Sequence, residues 1–417
     1  MINLYVFNKS GKSAIYGIGT YIRELTNALK GNDINICIIH LCSEKSDMLI
    51  EEENGIRHWY IPAPIINSYI FSMNYEHFDN LYYKNIVYIL RLYIKDVEKI
   101  VFQINHIIAG FSEELKKAFD CTIVDVIHYS NWMSALNGIL SRLHSIKSMD
   151  SDCRNDSEKA VISTFEKEVN IYRNSDHVIC LSQYMYEIMC NEYNINPSQI
   201  TVIPNGLIDE RRNRNKNILR AKWKLNIDER IILFVGRLDE VKGLIYLIRA
   251  FRKVLEILPE CRLIVAGNGN FDPFMQESKD ICTRVTYTGL LDKKNLYELY
   301  HIADIGVMPS IHETFGYVAV EMMMHNLPIV ATATSGLNEV IDEHSGLKVQ
   351  VIEYNDRVEI DHFLLAEKIF YLLQHPEERK KMGKNARKRY KKMYDSKVMR
   401  ENMIRLYTSL LCQSEMQ

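Results

Sequence analysis

The sequence predicts an α/β protein built of two doubly wound domains, and three observations carry that expectation. At 417 residues the chain exceeds what one ordinary core accommodates, whereas two domains of roughly 200 residues each are typical. Short apolar runs alternate with amphipathic stretches along the chain, the pattern of strands joined by crossover helices in a largely parallel sheet. That alternation is interrupted once, by Pro204-Asn205-Gly206 and a polar run over 209–217, and then restarts. A domain boundary is therefore expected at 205/206.

The first half opens with an apolar strand over 2–7, a glycine-bearing turn and a helix marked by Tyr21, Leu25 and Leu29. Strands follow at 34–40, 99–104, 122–128 and 177–181, separated by helical patterns. Aromatic residues crowd 59–93, and 148–158 is polar without periodicity, which predicts a surface loop. In the second half the expected order is strand 231–235, helix 244–258, strands 262–266 and 285–288, helix 294–301, strand 305–308, helix 317–325 and strand 328–332. No fixed short repeat occurs, which excludes a solenoid.

Composition narrows the function. Lys plus Arg is 51 and Asp plus Glu 53, a formal charge of -2, so nothing draws the whole chain toward nucleic acid and any charged site is local. The nine cysteines include no Cys-x-x-Cys pair and read as reduced core residues of a cytosolic protein. Met1 to Phe7 lacks the features of a leader, and no uncharged stretch reaches the ~18 residues of a spanning helix; a cytoplasmic location is expected. Glycine numbers 18, about 4% against a usual ~7%, so clustered glycines mark places where backbone geometry demands them.

In open parallel sheets, ligands bind outside the carboxyl ends of the strands, and three loops fall there. Gly17 and Gly19 open the first helix, whose free N–H groups suit an anion or simply close a turn. Gly236 and Arg237, then Lys242 and Gly243, follow an apolar strand and set two cations beside a helix start, suited to a diphosphate or to a solvated basic turn. Glu313 follows the strand 305–308, and Glu321 lies in an otherwise apolar helix after Gly316. A carboxylate there needs a donor, such as a ligand hydroxyl, unless it sits on an exposed helix edge.

Five segments occur in a recognisable order: Tyr16-Gly17-Ile18-Gly19-Thr20-Tyr21, Ile203-Pro204-Asn205-Gly206 with Asp209, the stretch from Phe234 through Gly236-Arg237 to Lys242-Gly243, Ala266-Gly267-Asn268-Gly269, and Pro309 through Glu321 with His312-Glu313-Thr314-Phe315-Gly316. Thr334-Ser335-Gly336-Leu337-Asn338-Glu339 follows as a small-residue loop. In this order they resemble the family 4 glycosyltransferases of GT-B architecture (glycosyl transferases group 1), along the whole chain.

The resemblance implies two Rossmann-like domains facing a cleft: an acceptor-side domain over 1–205, a nucleotide-sugar domain over 206–390, and a helix at 391–417 that packs back on the first. It implies a metal-independent, retaining transfer of a sugar from a nucleoside-diphosphate donor to a hydroxyl of a saccharide, a lipid-linked or another acceptor. The donor enters as substrate and no cofactor is implied. By position, Arg237 and Lys242 meet the donor diphosphate, with Gly236 in the same loop. Glu321 takes the ribose hydroxyls, and Glu313 holds the donor sugar. Backbone N–H groups through Phe315 and Gly316 face the sugar or phosphate, while Gly17 and Gly19 approach the phosphates. His128, at the end of the strand 122–127, matches a histidine facing the donor sugar, although relatives often carry a second histidine where this chain has Ser130. The alternatives are a silent nucleotide-sugar-binding subunit and an epimerase or phosphorylase of the same architecture. The intact set of Glu313, Glu321, Arg237 and Lys242 argues against the silent subunit.

Three further features of the sequence invite other readings. Asp150-Ser151-Asp152 resembles a metal-holding aspartate pair but follows a polar run instead of a strand, and reads as a loop. Gly267-Asn268-Gly269 invites a dinucleotide reading, but the third glycine is missing and no helix is evident after it. The basic run from Arg379 to Lys397 is either a solvated helix face or a contact with the anionic inner face of a membrane.

Overall fold

The computed structural model describes residues 1–10, 17–64, 68–212 and 214–414, and for 68–79 and 413–414 the backbone alone. The chain forms two compact units. One contains Met1–Trp132, Ser151–Ile208 and Ser396–Gln417, the other Met133–Asp150 and Asp209–Asp395.

The first unit is built on an eight-stranded sheet in the order β3-β4-β2-β1-β5-β6-β7-β8. Its strands are β1 (Ile2–Lys9), β2 (Ile34–Ser43), β3 (Leu49–Glu53), β4 (Ile56–Pro62), β5 (Ile100–Ile104), β6 (Cys121–Ile127), β7 (His177–Cys180) and β8 (Ile200–Val202). All pair in parallel except β3, which runs antiparallel to β4 at the edge. Sequence periodicity did not mark β3, because Leu49-Ile50-Glu51-Glu52-Glu53 carries almost no buried surface. β5 is buried throughout, as a central parallel strand covered on both faces must be. The helix Ser396–Ser414 packs on Gly17–Leu29, and Tyr407 donates to Gln103 Oε1 in the interior. The expected return of the last helix to the first domain is thus observed.

The second unit has a fully parallel six-stranded sheet in the order β11-β10-β9-β12-β13-β14, from β9 (Arg230–Val235), β10 (Cys261–Ala266), β11 (Val285–Gly289), β12 (Ile305–Met308), β13 (Ile329–Thr332) and β14 (Gly346–Val349). Phe234, Val265 and Val307 form one core with Leu247 and Phe251 of the helix Leu244–Ile257 and Ile369 of the helix His362–Gln374. The order reverses between β9 and β12, the doubly wound switch point where ligands gather.

Several expectations shift for physical reasons. The chain leaves the first unit at 208/209 instead of 205/206, because Ile208 N–H donates to Glu24 and Ser396 N–H to Leu207 O. The last crossing falls at 395/396 instead of 390/391, since Lys391 is held by Asp209 and Asp395 of the second unit. Met133–Asp150 joins the second unit, where Ile139 enters its core. Within the expected loop 148–158, Asn155 and Glu158 form a reciprocal cap that starts the helix Asp156–Arg173. A short helix, Asp272–Glu277, does follow Gly269, with Pro273 in its first turn. Of the aromatic stretch, Trp59, Tyr82 and Tyr83 are core residues while Tyr88 and Tyr93 are exposed; the side chains of 65–79 lie outside the described residues. Cys37, Cys180 and Cys261 are buried as expected, but Cys153, Cys282 and Cys412 are exposed. No helix among the described residues is long and apolar enough to cross a membrane.

Candidate active site

In the second unit the loops after β9, β12 and β13 are tied together by backbone contacts. Ile311 N–H donates to Val241 O at 2.8 Å and Gly336 N–H to Glu313 O at 3.0 Å. Thr334 Oγ1 donates to Ile311 O at 2.7 Å. Asp239 accepts from the Lys242 N–H at 3.1 Å, which fixes the turn Glu240–Lys242 before the helix Leu244–Ile257. Gly243 is required there: its φ is +65°, and a Cβ would stand 1.8 Å from the Pro309 carbonyl oxygen. Gly267 serves the same end beside Gly236, whose carbonyl oxygen a Cβ would meet at 1.8 Å.

Gly243→Ala is accordingly expected to cost about 2–4 kcal/mol, lowering the melting midpoint by roughly 5–15 °C. Calorimetry checks this, and a parent-like melt would contradict the close approach.

The consequence of this packing is that Lys242 Nζ lies 2.5 Å from Glu313 Oε2, with both side chains about one-fifth exposed (20% and 17%). Two residues expected to serve the same ligand are brought together as an ion pair. Arg237, in the same loop, pairs with Asp239 at 3.1 Å and is largely exposed. Glu321 has a donor within the protein: Tyr300 OH donates to Oε2 at 2.6 Å. Phe315 has a buried ring packed edge-on against Tyr317 and Tyr394, so only its backbone faces the loop. The amides of Phe315 and Gly316 donate to no backbone carbonyl among the described residues and open the helix Tyr317–Met324, a setting that attracts anions.

In the first unit, Gly17 and Gly19 begin the helix Gly17–Leu29, while Tyr16 lies outside the described residues. Among the described residues a Cβ at Gly17 would meet nothing within 4 Å, so their packing alone does not call for glycine there. His128 follows β6, with its ring edge-on to Tyr21 of that helix at 4.6 Å. Asn105 Nδ2 donates to Phe7 O, which leaves its Oδ1 as acceptor for His128 Nε2 at 3.1 Å. The proton therefore sits on Nε2 and Nδ1 is left as an acceptor. Burial, then the neighbouring His106, push the His128 pKa down to about 3, so the imidazole is neutral at pH 7.

Sequence reasoning missed two contributors. His312 is buried, with Nδ1 2.8 Å from Ser335 Oγ, and burial lowers its pKa to about 4. Gly138, at φ +78°, lies so near that a Cβ would be 2.5 Å from His312 Nδ1. The neighbouring Asn137-Gly138 pair is a turn signal, but no local pattern names its partner. Tyr300 carried no signal at all. Among the described residues, no three His, Cys, Asp or Glu side chains are grouped as a metal would need, and Asp152 lies in the exposed turn Ser151–Cys153.

A model of Glycosyltransferase Family 4 matches residues 15–211, and one of Glycosyl transferases group 1 matches residues 215–389. An uncharacterized glycosyltransferase of Methanocaldococcus jannaschii is 32% identical over 260 residues, covering 55% of this chain and 64% of its own. A D-inositol 3-phosphate glycosyltransferase of Mycobacteroides abscessus is 27% identical over 58% of this chain and 59% of its own. The chain thus spans about three-fifths of the length of these curated relatives. Among solved structures, a sucrose-phosphate synthase of Thermosynechococcus elongatus superposes with a TM-score of 0.76 at 21% identity, over 99% of this chain and 100% of that one. The Anabaena protein HepE, crystallised with UDP and glucose, gives 0.71 at 15% identity, over 98% and 100%. These likenesses establish the GT-B fold.

Proposed function

Because the chain belongs to the family 4 glycosyltransferases, we propose that it moves a sugar from a nucleoside-diphosphate donor to a hydroxyl acceptor, with retention at the anomeric carbon and without a metal. The observation that carries this reading is the Lys242–Glu313 pair at the switch point, beside the open N–H groups of Phe315 and Gly316. Departure of a diphosphate leaves negative charge behind, and fixed donors aimed at that charge supply most of the stabilisation in such a site. Lys242, Arg237 and the helix start at Gly316 would do so. A diphosphate drawing Lys242 away frees Glu313 to accept from hydroxyls of the donor sugar. Glu321, oriented by Tyr300, would accept from the ribose. His128 offers a neutral acceptor nitrogen, and Gly17 and Gly19 would present N–H groups to the phosphates.

The acceptor is proposed more broadly, as a saccharide, a lipid-linked or another hydroxyl compound. A membrane contact through the run Arg379 to Lys397 draws on fewer charges than the sequence suggests. Arg387 and Arg389 bind Asp209 and Asp342, and Lys391 binds Asp209.

The test is a thermal-shift panel of nucleoside diphosphates followed by initial rates with the matching donors, in chelator and then with added magnesium. A ligand at 100 times its Kd stabilises by about 2.7 kcal/mol. Glu321→Ala should raise the donor Kd by roughly 10–100-fold, with the same fold. A parent-like Kd would remove Glu321 from the site, and activity abolished by chelator would overturn the metal-free reading.

A further inference from the structure

A basic cavity in the second unit is lined by none of the residues proposed to bind donor. Its volume is roughly 630 Å³, and Arg211, Arg212, Arg214, Lys293 and Lys294 line it. This is within the ~300–1,000 Å³ of small-molecule sites. Two carboxylates, Asp209 and Glu210, line it as well, but both are committed. Asp209 is held by Arg387 and Lys391, which outweigh the effect of burial and keep its pKa near 2. Glu210 binds Lys293 at 3.0 Å, and Arg214 binds Glu298 at 2.6 Å.

That leaves the side chains of Arg211, Arg212 and Lys294 in no ion pair among the described residues, although the Arg211 backbone N–H donates to Asp209 Oδ1 at 3.3 Å. Arg211 is half-buried, and its Nε is buried without a hydrogen-bond partner. A guanidinium in that condition is costly unless an anion completes it. The remaining wall is aromatic and neutral: Tyr297 and His325 meet edge to face at 4.6 Å. Burial, with Arg211 and Arg387 nearby, lowers the His325 pKa to about 4. His301 is bonded through Nε2 to Arg214 O at 2.7 Å.

Three cationic side chains in no ion pair share one lining with the Tyr297 ring, over which Lys293 Nζ stands at 5.4 Å, and together they match a small molecule with a phosphate on a polar ring. We propose that this cavity binds a phosphomonoester of a monosaccharide, the phosphate on Arg211, Arg212 and Lys294 and the ring against Tyr297. Lys242, Glu313 and Glu321 line no part of it, although His325 of its wall bonds Glu321 O through Nδ1 at 2.8 Å; it is a second site, and its test does not depend on the donor reading.

Glucose 6-phosphate is the probe, titrated calorimetrically into the full chain with and without UDP; glucose and inorganic phosphate are the controls. One-to-one binding is expected, weakening as salt rises, unaffected by UDP and absent with glucose. Arg212 and Lys294 are exposed, so Arg212→Glu and Lys294→Glu should fold normally. Each should raise the Kd for glucose 6-phosphate at least tenfold and leave nucleotide binding unchanged. Displacement by UDP, or a Kd unchanged in both variants, would overturn the site. Inorganic phosphate binding as tightly as glucose 6-phosphate would overturn the assignment to a sugar ester. Failure of every nucleotide to bind, with glucose 6-phosphate still bound, would sink the donor reading and leave this one standing.

Discussion

Lys242→Ala is expected to lower kcat by about two to three orders of magnitude and to weaken nucleoside-diphosphate binding, while both units stay folded. A unit charge ~4 Å from a phosphate charge is worth about 4 kcal/mol at an effective dielectric near 20, before desolvation. Lys242 is placed for this by features that survive the substitution, namely the Asp239 cap and the Ile311–Val241 hydrogen bond. Its removal leaves the Glu313 carboxylate, only 17% exposed, without its cation, which is expected to cost on the order of 1 kcal/mol of stability. Lys242→Arg keeps the charge but not the compact ammonium, and should recover binding better than turnover. Steady-state rates and a melting curve for each variant decide the matter; kcat within threefold of the parent in Lys242→Ala would remove Lys242 from the mechanism.

How much of this was legible in the sequence depends on the range of each contact. The Gly236-to-Gly243 loop is local: an apolar strand, two cations and a glycine within a few residues of a helix start announce themselves. So does the helix after Gly316. The pairing of Lys242 with Glu313 spans 71 positions and exists only because β9 and β12 are neighbours, a fact of strand order that periodicity does not encode. The same applies to Tyr300, which reaches Glu321 from another helix. It applies again to Met133–Asp150, whose Ile139 and Gly138 serve the second unit although flanked in sequence by the first. Conversely, the aromatic stretch 59–93 is conspicuous in composition but names no role. Trp59, Tyr82 and Tyr83 fill the core against β1, β2 and β5, where aromatic bulk suits burial as well as recognition.

Glu313→Gln is expected to separate the two halves of the proposed mechanism. Glutamine keeps the volume and one carbonyl acceptor but loses the charge that both holds Lys242 and accepts strongly from sugar hydroxyls. Turnover should fall by at least a hundredfold, as when one fixed charge-stabilising group is removed from a reacting centre. Binding of the bare nucleoside diphosphate should move the opposite way, because Lys242 Nζ, now 2.5 Å from Glu313 Oε2, no longer has to leave a carboxylate to meet a phosphate. A Kd for the diphosphate equal to or up to about tenfold below that of the parent follows from releasing about 1.4 kcal/mol or less of that competition. Lys242→Ala should weaken the same ligand, so the two variants carry opposite signs in binding and the same sign in turnover. A merely structural pair would not produce that split: both variants would lose stability, and rate and affinity would fall together. Calorimetric titration of the diphosphate and initial rates with the intact donor, on both variants, read the signs directly. Weakened diphosphate binding in Glu313→Gln, or kcat within threefold of the parent, would show that Glu313 does not hold the donor sugar and that its contact with Lys242 serves the fold alone.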